Sequence, residues 1–343
     1  MALILALESS CDDSAAALVT SDRQILAQAV VGQNEAHRPF GGVVPEIAAR
    51  AHVEVLPGLV RQVLHEADIA IGDLDAIAAT AGPGLIGGVM VGLLAGKGLA
   101  LAAGKPLIAV NHLEGHALSP RLVDASLDFP YLLLLASGGH CQLLEVRGVG
   151  NYRRLGTTID DAAGEAFDKA AKLLGLGYPG GPAIEALASE GDSKTVPLPR
   201  PLSGSAEPHF SFAGLKGAVQ RAVASGEYRA ADVAASFQAA VVDCFVDRTR
   251  IALGASDAPA LVLAGGVAAN VAVRTALAAL AREQGRAFAV PPAWLCTDNA
   301  AMIGWAGAER LAAGMVDGLD APARARWPLD ERAEAVRGAG VKA

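Results

Sequence analysis

Apolar and polar positions along this chain fall in blocks that switch between two periods. Residues 3–7 are apolar, a polar elbow Glu8-Ser9-Ser10-Cys11-Asp12-Asp13-Ser14 follows, and residues 15–19 are apolar again before Ser21-Asp22. That pattern predicts a β-hairpin with a polar tip. The same plan returns at residues 131–136, Ser137-Gly138-Gly139-His140 and 141–146, and two hairpins of one plan predict two related lobes. After the first hairpin come helical spacing over 43–67, a strand at 76–80, a helix over 85–103 and a strand at 107–110. After the second come helices near 161–174 and 182–189, a helix over 231–251, a strand at 260–264, a helix over 270–284 and a strand at 287–290. Strands alternating with helices, with uniformly apolar strands, predict α/β layers.

Two stretches break the pattern. Between residues 192 and 217 Pro, Ser and Gly dominate and periodicity is lost, which predicts an irregular insertion with a functional loop, Phe210-Ser211-Phe212-Ala213-Gly214-Leu215-Lys216. From residue 320 the chain is rich in Arg, Ala and Pro, which predicts a surface-lying or disordered tail. Residues 76–96 carry no charge, long enough to raise the question of a membrane span. Gly82-Pro83-Gly84 interrupts them, so the reading is strand, loop and apolar helix, with no membrane association.

Length and charge narrow the field. At 343 residues, 52% hydrophobic and 19% charged, the chain is long enough for about two cored lobes. A net charge of −8 argues against unaided nucleic-acid binding, so a polyanion partner needs a local basic patch or a helper protein. The four cysteines, Cys11, Cys141, Cys244 and Cys296, are far apart and form no CxxC pair. They fit a reducing cytoplasm.

Four constellations can carry chemistry. His112 and His116, at i and i+4 after a strand, share one helix face and make half of a metal site, or they are two structural histidines. Glu114 between them points about 200° away from His112 on a helix, which disfavours a zinc protease of the His-Glu-x-x-His type. Glycine turns at Ser137-Gly138-Gly139-His140, Tyr178 to Pro182 and Gly265 to Asn270 let backbone amides approach phosphate, though each alone is ordinary turn chemistry. Asp161, Glu165 and Asp168 are predicted to share a face, either as a solvated acidic stripe or as a hold for ribose or cations. Asp298, before a small-residue helix, is a helix cap or a third metal ligand.

Taken in order, Glu8 to Ser14, Gly41 to Glu46, Gly82 to Leu85, Asn111 to His116, Ser137 to His140, Asp160 to Lys169, Tyr178 to Pro182 and Gly265 to Asn270 resemble the TsaD (YgjD, Gcp) family of tRNA N6-adenosine threonylcarbamoyltransferases. The resemblance runs from about residue 3 to residue 315. It implies two duplicated α/β lobes of the actin, Hsp70 and sugar kinase (ASKHA) type with a nucleotide cleft between them. It further implies transfer of the threonylcarbamoyl group from threonylcarbamoyl-AMP to N6 of adenosine 37 in tRNAs reading ANN codons, with release of AMP. One divalent metal ion, Fe2+ or Zn2+, would be held by His112, His116 and Asp298. Leu135, Ala136, Ser137, Gly138 and Gly139 would contact the phosphate and threonyl part, Asp168 and Glu185 the ribose, and Gly181 and Asn270 the nucleoside. Asp12 would orient or deprotonate the attacking amine.

Departures from the family pattern are few: Ser9 and Ser14 stand where Thr is usual, Gly217 follows Lys216 where Thr is common, and Glu185 replaces a frequent Asp. The resemblance implies partners besides tRNA: an inactive paralogue (TsaB-like) on the first lobe, a small ATPase (TsaE-like) and an upstream threonylcarbamoyl-AMP synthase. Residues 56–67 are a candidate surface for the paralogue or part of the core. The expected domains are 1–111 joined by a C-terminal helix 299–315, then 112–298, then the tail 320–343. A small-molecule kinase and a non-catalytic nucleotide-binding scaffold are the alternatives.

Overall fold

In the computed structural model, residues 1–40, 42–334 and 336 are described. The first hairpin joins β1 (Leu3–Glu8) to β2 (Asp13–Thr20) in a register pairing Leu3 with Thr20 and Glu8 with Ala15. A third strand, β3 (Ile25–Gly32), adds antiparallel to β2. After the short helix α1 (Asn34–His37) and the long α2 (Pro45–Glu66), β4 (Ala76–Gly82) pairs parallel with β1. Helix α3 (Ile86–Ala103) leads to β5 (Leu107–Asn111), parallel to β4, and α4 (His112–Val123) follows without a linker.

The second hairpin is β6 (Tyr131–Ala136) and β7 (Cys141–Gly148), extended by β8 (Asn151–Thr157). Helices α5 (Ala163–Leu173), α6 (Gly180–Ala188), α7 (Ala213–Ser225) and α8 (Ala230–Gly254) precede β9 (Ala260–Ala264), which lies parallel to β6. Then come α9 (Val271–Glu283), β10 (Ala287–Ala289), α10 (Ala293–Cys296) and α11 (Ala300–Ala312). The sheet orders are β3-β2-β1-β4-β5 and β8-β7-β6-β9-β10. Each sheet is a three-stranded meander followed by two parallel strands, so the duplication read from two hairpins extends to whole sheets.

Unit 1 comprises Met1–Ser126, Val149–Asn151 and Thr297–Glu331; unit 2 comprises Leu127–Gly148 and Tyr152–Cys296, with the described residues after Glu331. The sequence reading starts the second lobe at 112, but α4 belongs to unit 1 because it packs along α11 and the end of β5. In unit 1 the odd residues Leu3, Leu5 and Leu7 join a core with Leu56, Val60 and Val63 of α2 and Leu93 of α3. The even residues Ile4 and Ala6 face α11 at Gly307 and Gly304. Helices on both faces explain why β1 has no polar alternation. Leu56, Leu59, Val60 and Val63 are buried, so the apolar face of residues 56–67 is core.

Of the two readings of the tail, surface-lying or disordered, residues 320–331 follow the first. Arg324 N–H donates to Ala81 O at 2.7 Å, Gly84 N–H to Ala325 O at 3.3 Å, and Asn111 Nδ2 to Trp327 O at 2.9 Å. With Ala321, Ala323 and Trp327 packed on the unit 1 core, residues 320–331 form a strap across the ends of β4 and β5. Residues 335 and 337–343 of the expected tail, and Gly41 of the quoted motif, lie outside the described residues. The loop expected at 210–216 is also not free: Phe210 bridges to Thr158, Phe212 is buried and α7 begins at Ala213.

Candidate functional site

The chain leaves β5 and enters α4 at one residue, Asn111, whose Oδ1 accepts a hydrogen bond from Leu113 N–H at 2.9 Å and caps the helix. Because the helix opens at His112, its ring and that of His116 meet edge to face one turn apart, with centroids 4.8 Å apart at 88°. Asp298 lies in the turn before α11, whose cap is Asn299, accepting from Met302 N–H at 2.9 Å. Asp298 Oδ1 is 3.2 Å from His116 Nε2 and 3.5 Å from His112 Nε2. The three ligand atoms all lie within 4.8 Å of one another.

Behind them sits Glu8, at the end of β1 and 1% exposed. Its Oε2 is 3.0 Å from His112 Nδ1 and accepts from Thr80 Oγ1 at 2.6 Å, while Oε1 accepts from Ser10 N–H. Ser10 Oγ lies 3.1 Å from the same His112 nitrogen. Glu8 is the functional residue that sequence reasoning passed over as the edge of a polar tip. The signal available was a carboxylate closing an otherwise apolar strand.

Burial pulls the His112 pKa down, but Asp298 and Glu8 outweigh it and push it up to about 9. Burial likewise raises Glu8, and the adjacent His112 cation reverses that and holds it below the usual carboxylate range. Asp13 is pushed up to about 7 by burial and by Asp298, Asp12 and Glu8. The pocket therefore holds surplus negative charge, which a divalent cation relieves.

The donor set fits a metal. With Glu8 taking the proton on Nδ1, His112 presents a bare Nε2 toward Asp298, the tautomer that ligation requires. Ligands at 2.0–2.2 Å from one ion stand about 3.0–3.5 Å apart, and Asp298 Oδ1 stands 3.5 and 3.2 Å from the His112 and His116 nitrogens. His112, His116 and Asp298 can thus hold a metal ion. Glu114 does not belong to the set: its Oε1 accepts from Gly150 N–H at 2.9 Å and its Oε2 from Arg310 Nη1 at 2.9 Å. The half-buried Asp12 lies in the β1–β2 turn of the same unit, and its carbonyl accepts from Gln33 N–H at 3.1 Å.

Within unit 2 the remaining candidates gather at one end of the sheet. Leu135 and Ala136 end β6, and Ser137, Gly138 and Gly139 form the tip. Gly164 N–H donates to Ser137 O at 3.1 Å, bringing the start of α5 against the tip. Gly265, at φ +89°, would place a Cβ 2.5 Å from Ala136 O, so only glycine serves there. Asp168 Oδ1 accepts from Gly180 N–H at 2.7 Å beside Gly181, and Glu185 Oε1 accepts from Val271 N–H at 2.7 Å. Asn270 caps α9 through Val273 N–H at 3.0 Å and donates Nδ2 to Gln238 Oε1 at 2.9 Å.

The acidic stripe, by contrast, is bridged by one lysine and divided. Lys169 reaches Asp161 at 2.7 Å and Glu165 at 2.9 Å, while Asp168 turns to Gly180.

Two sheets of one topology, a histidine pair converging on an aspartate, and glycine turns at the end of the second sheet define an α/β protein of the actin, Hsp70 and sugar kinase type able to hold a metal ion. Solved structures agree on the fold. Full-length HypF in its phosphate- and nucleotide-bound form is similar over 94% of this chain and 47% of its own, with a TM-score of 0.59 and 14% identity. Component A of (R)-2-hydroxyglutaryl-CoA dehydratase from Acidaminococcus fermentans covers 91% of this chain and 100% of its own, with a TM-score of 0.54 and 17% identity. At these identities the likeness concerns the fold alone.

The family model TsaD, tRNA N6-adenosine threonylcarbamoyltransferase, matches residues 24–305. Proteins bearing that name from Sphingopyxis alaskensis, Novosphingobium aromaticivorans and Erythrobacter litoralis are 73%, 68% and 67% identical, each aligned over 100% of both chains. The chain belongs to this family of transferases.

Proposed function

We propose that this chain transfers the threonylcarbamoyl group of threonylcarbamoyl-AMP to N6 of adenosine 37 in tRNAs that read ANN codons. Membership of the family supports the reaction class, and the observation that carries the mechanism is the convergence of His112, His116 and Asp298 with Glu8 behind them. A divalent ion held there, Fe2+ or Zn2+, would supply Lewis-acid charge. In unit 2, Leu135, Ala136, Ser137, Gly138 and Gly139 bind the phosphate and threonyl portion, Asp168 and Glu185 the ribose, and Gly181 and Asn270 the nucleoside.

The adenosine amine attacks the carbamoyl carbon, its proton passes to the Asp12 carboxylate, and the carbon–oxygen bond to phosphate breaks as AMP departs. The cytoplasm is the compartment this reading assigns, without membrane association. Helix α3 is long and apolar enough to cross a membrane by length and composition, and this reading gives it a protein partner instead. A paralogue of the TsaB type packs on the exposed α3 row Ile86, Met90 and Leu94. A TsaE-type ATPase and a threonylcarbamoyl-AMP synthase act with it, and helper subunits suit a net charge of −8.

The test is transfer of labelled threonylcarbamoyl from preformed adenylate to unmodified tRNA, with partner subunits. The expected result is modification by the wild type and a loss of at least about a hundredfold in His112→Ala. Adenine nucleotide binding without modification by the wild type would favour a scaffold or a kinase.

A further inference from the structure

Three backbone carbonyls shape the tip between β1 and β2, and each has its own donor. Leu85 N–H donates to Ser10 O at 2.8 Å, His52 Nε2 lies 3.1 Å from Cys11 O, and Gln33 N–H donates to Asp12 O at 3.1 Å. Among these donors only His52 is a side chain. It is 0% exposed, and its ring stands against Gly88 of α3 so closely that a Cβ there would come within 3.1 Å of Nε2.

His52 ends a buried relay whose polarity can be read from its other end. Val44 N–H donates to His37 Nδ1 at 3.2 Å, which makes that nitrogen an acceptor and His37 Nε2 the donor to Gln33 Oε1 at 3.2 Å. The Gln33 amide group then donates through Nε2 to His52 Nδ1 at 3.3 Å and to Ala48 O at 3.4 Å. Ser14 Oγ, 2.7 Å from the same His52 nitrogen, donates as well. His52 is left with one arrangement: neutral, proton on Nε2, donating to Cys11 O. Burial keeps it neutral by holding it below the usual imidazole range. Ser14, Gln33, His37 and His52 are all buried, so water does not compete for these bonds.

We infer that His52, oriented by Gln33 and His37, is a positioning residue that fixes the Cys11–Asp12 peptide and thereby aims the Asp12 carboxylate at the attacking amine. The inference rests on the transferase reading, through the role given to Asp12. His52 touches neither substrate nor metal ligand; it acts through the carbonyl preceding Asp12, where a misplacement of about 1 Å costs about a hundredfold in rate.

The test uses the full chain with its partner subunits and compares His52→Leu, His52→Gln and Gln33→Glu. Leucine removes the donor, whereas glutamine places an amide N–H near the position of Nε2. In Gln33→Glu the new carboxylate draws the His52 proton to Nδ1 and turns a lone pair toward Cys11 O. His52→Leu and Gln33→Glu should lower kcat about a hundredfold with adenylate KM and metal content unchanged, and His52→Gln should recover kcat to within about threefold of wild type.

Nitrogen-15 NMR of the unmutated protein, with the His52 signal identified by its absence in His52→Gln, should show the Nε2–H tautomer. The inference is overturned by an Nδ1–H or doubly protonated ring, by kcat unchanged in His52→Leu, or by glutamine no better than leucine. A wild type that transfers nothing while keeping the Nε2–H tautomer would instead overturn the transferase reading.

Discussion

The two hairpin tips occupy equivalent places in sheets of the same strand order, yet their chemistry is opposite. The tip of unit 1 runs Glu8 to Asp13 and is crowded with carboxylates, with His112, His116 and Asp298 in the same unit. The tip of unit 2 runs Ser137-Gly138-Gly139-His140 and has almost no side chain to offer before His140. In the first, geometry is held by buried side-chain hydrogen bonds: Glu8 to His112, Thr80 to Glu8, His52 to Cys11. In the second, it is held by close backbone approaches at Gly164 and Gly265. Duplication supplies the position, and residue type decides whether that position handles cations and protons or leaves backbone amides open to phosphate.

The comparison breaks hardest at Gly265. Replacing it with Ala puts a Cβ against Ala136 O at a positive φ, and the expected cost is about 2–4 kcal/mol of stability in unit 2. Thermal unfolding measures it. Adenylate binding should weaken with it while metal content per folded chain stays at the wild-type value, because unit 1 carries the candidate metal ligands.

A subtler break is Glu8→Gln, which keeps the shape but not the charge behind His112. Metal affinity should fall about 10–100-fold, read by competition with a chromophoric chelator, with little change in adenylate binding. A further effect is on pH. In the metal-free protein the His112 pKa lies at about 9, above its ordinary 6.5. The charged ring therefore contributes stability that is complete below 6.5 and lost as pH rises through 9. Ligation requires the neutral ring, so metal affinity should run the other way, rising about tenfold per pH unit up to about 9 and then levelling. In Glu8→Gln the levelling should come at lower pH.

How much of this was legible in the sequence depends on the kind of signal. Hairpins, parallel strands and long helices are written in local periodicity, and the strand-then-His-x3-His spacing located two of the three metal-ligand candidates. β3 escaped because it is an edge strand whose residues Leu26, Val30 and Val31 remain exposed, so no buried run marks it. α7 escaped because Gly214 and Gly217 sit in its first turns, diluting helical composition. The strap 320–331 is held through its own backbone, which meets Ala81 O, Gly84 N–H, Asn111 Nδ2 and Lys97 Nζ, so its side-chain pattern does not encode it. Asp298 lies 182 residues from His116, and spacing alone left it between cap and ligand. Glu8 became functional only when the fold brought β1 beside α4.

The most direct test of the central claim is metal content and X-ray absorption of the purified protein, with His112→Ala/His116→Ala as the comparison. The account predicts one divalent ion per chain, an absorption spectrum with two imidazole ligands, and no stoichiometric metal in the double variant. Stoichiometric metal retained by that variant, or a wild-type ion with no imidazole ligand, would contradict it.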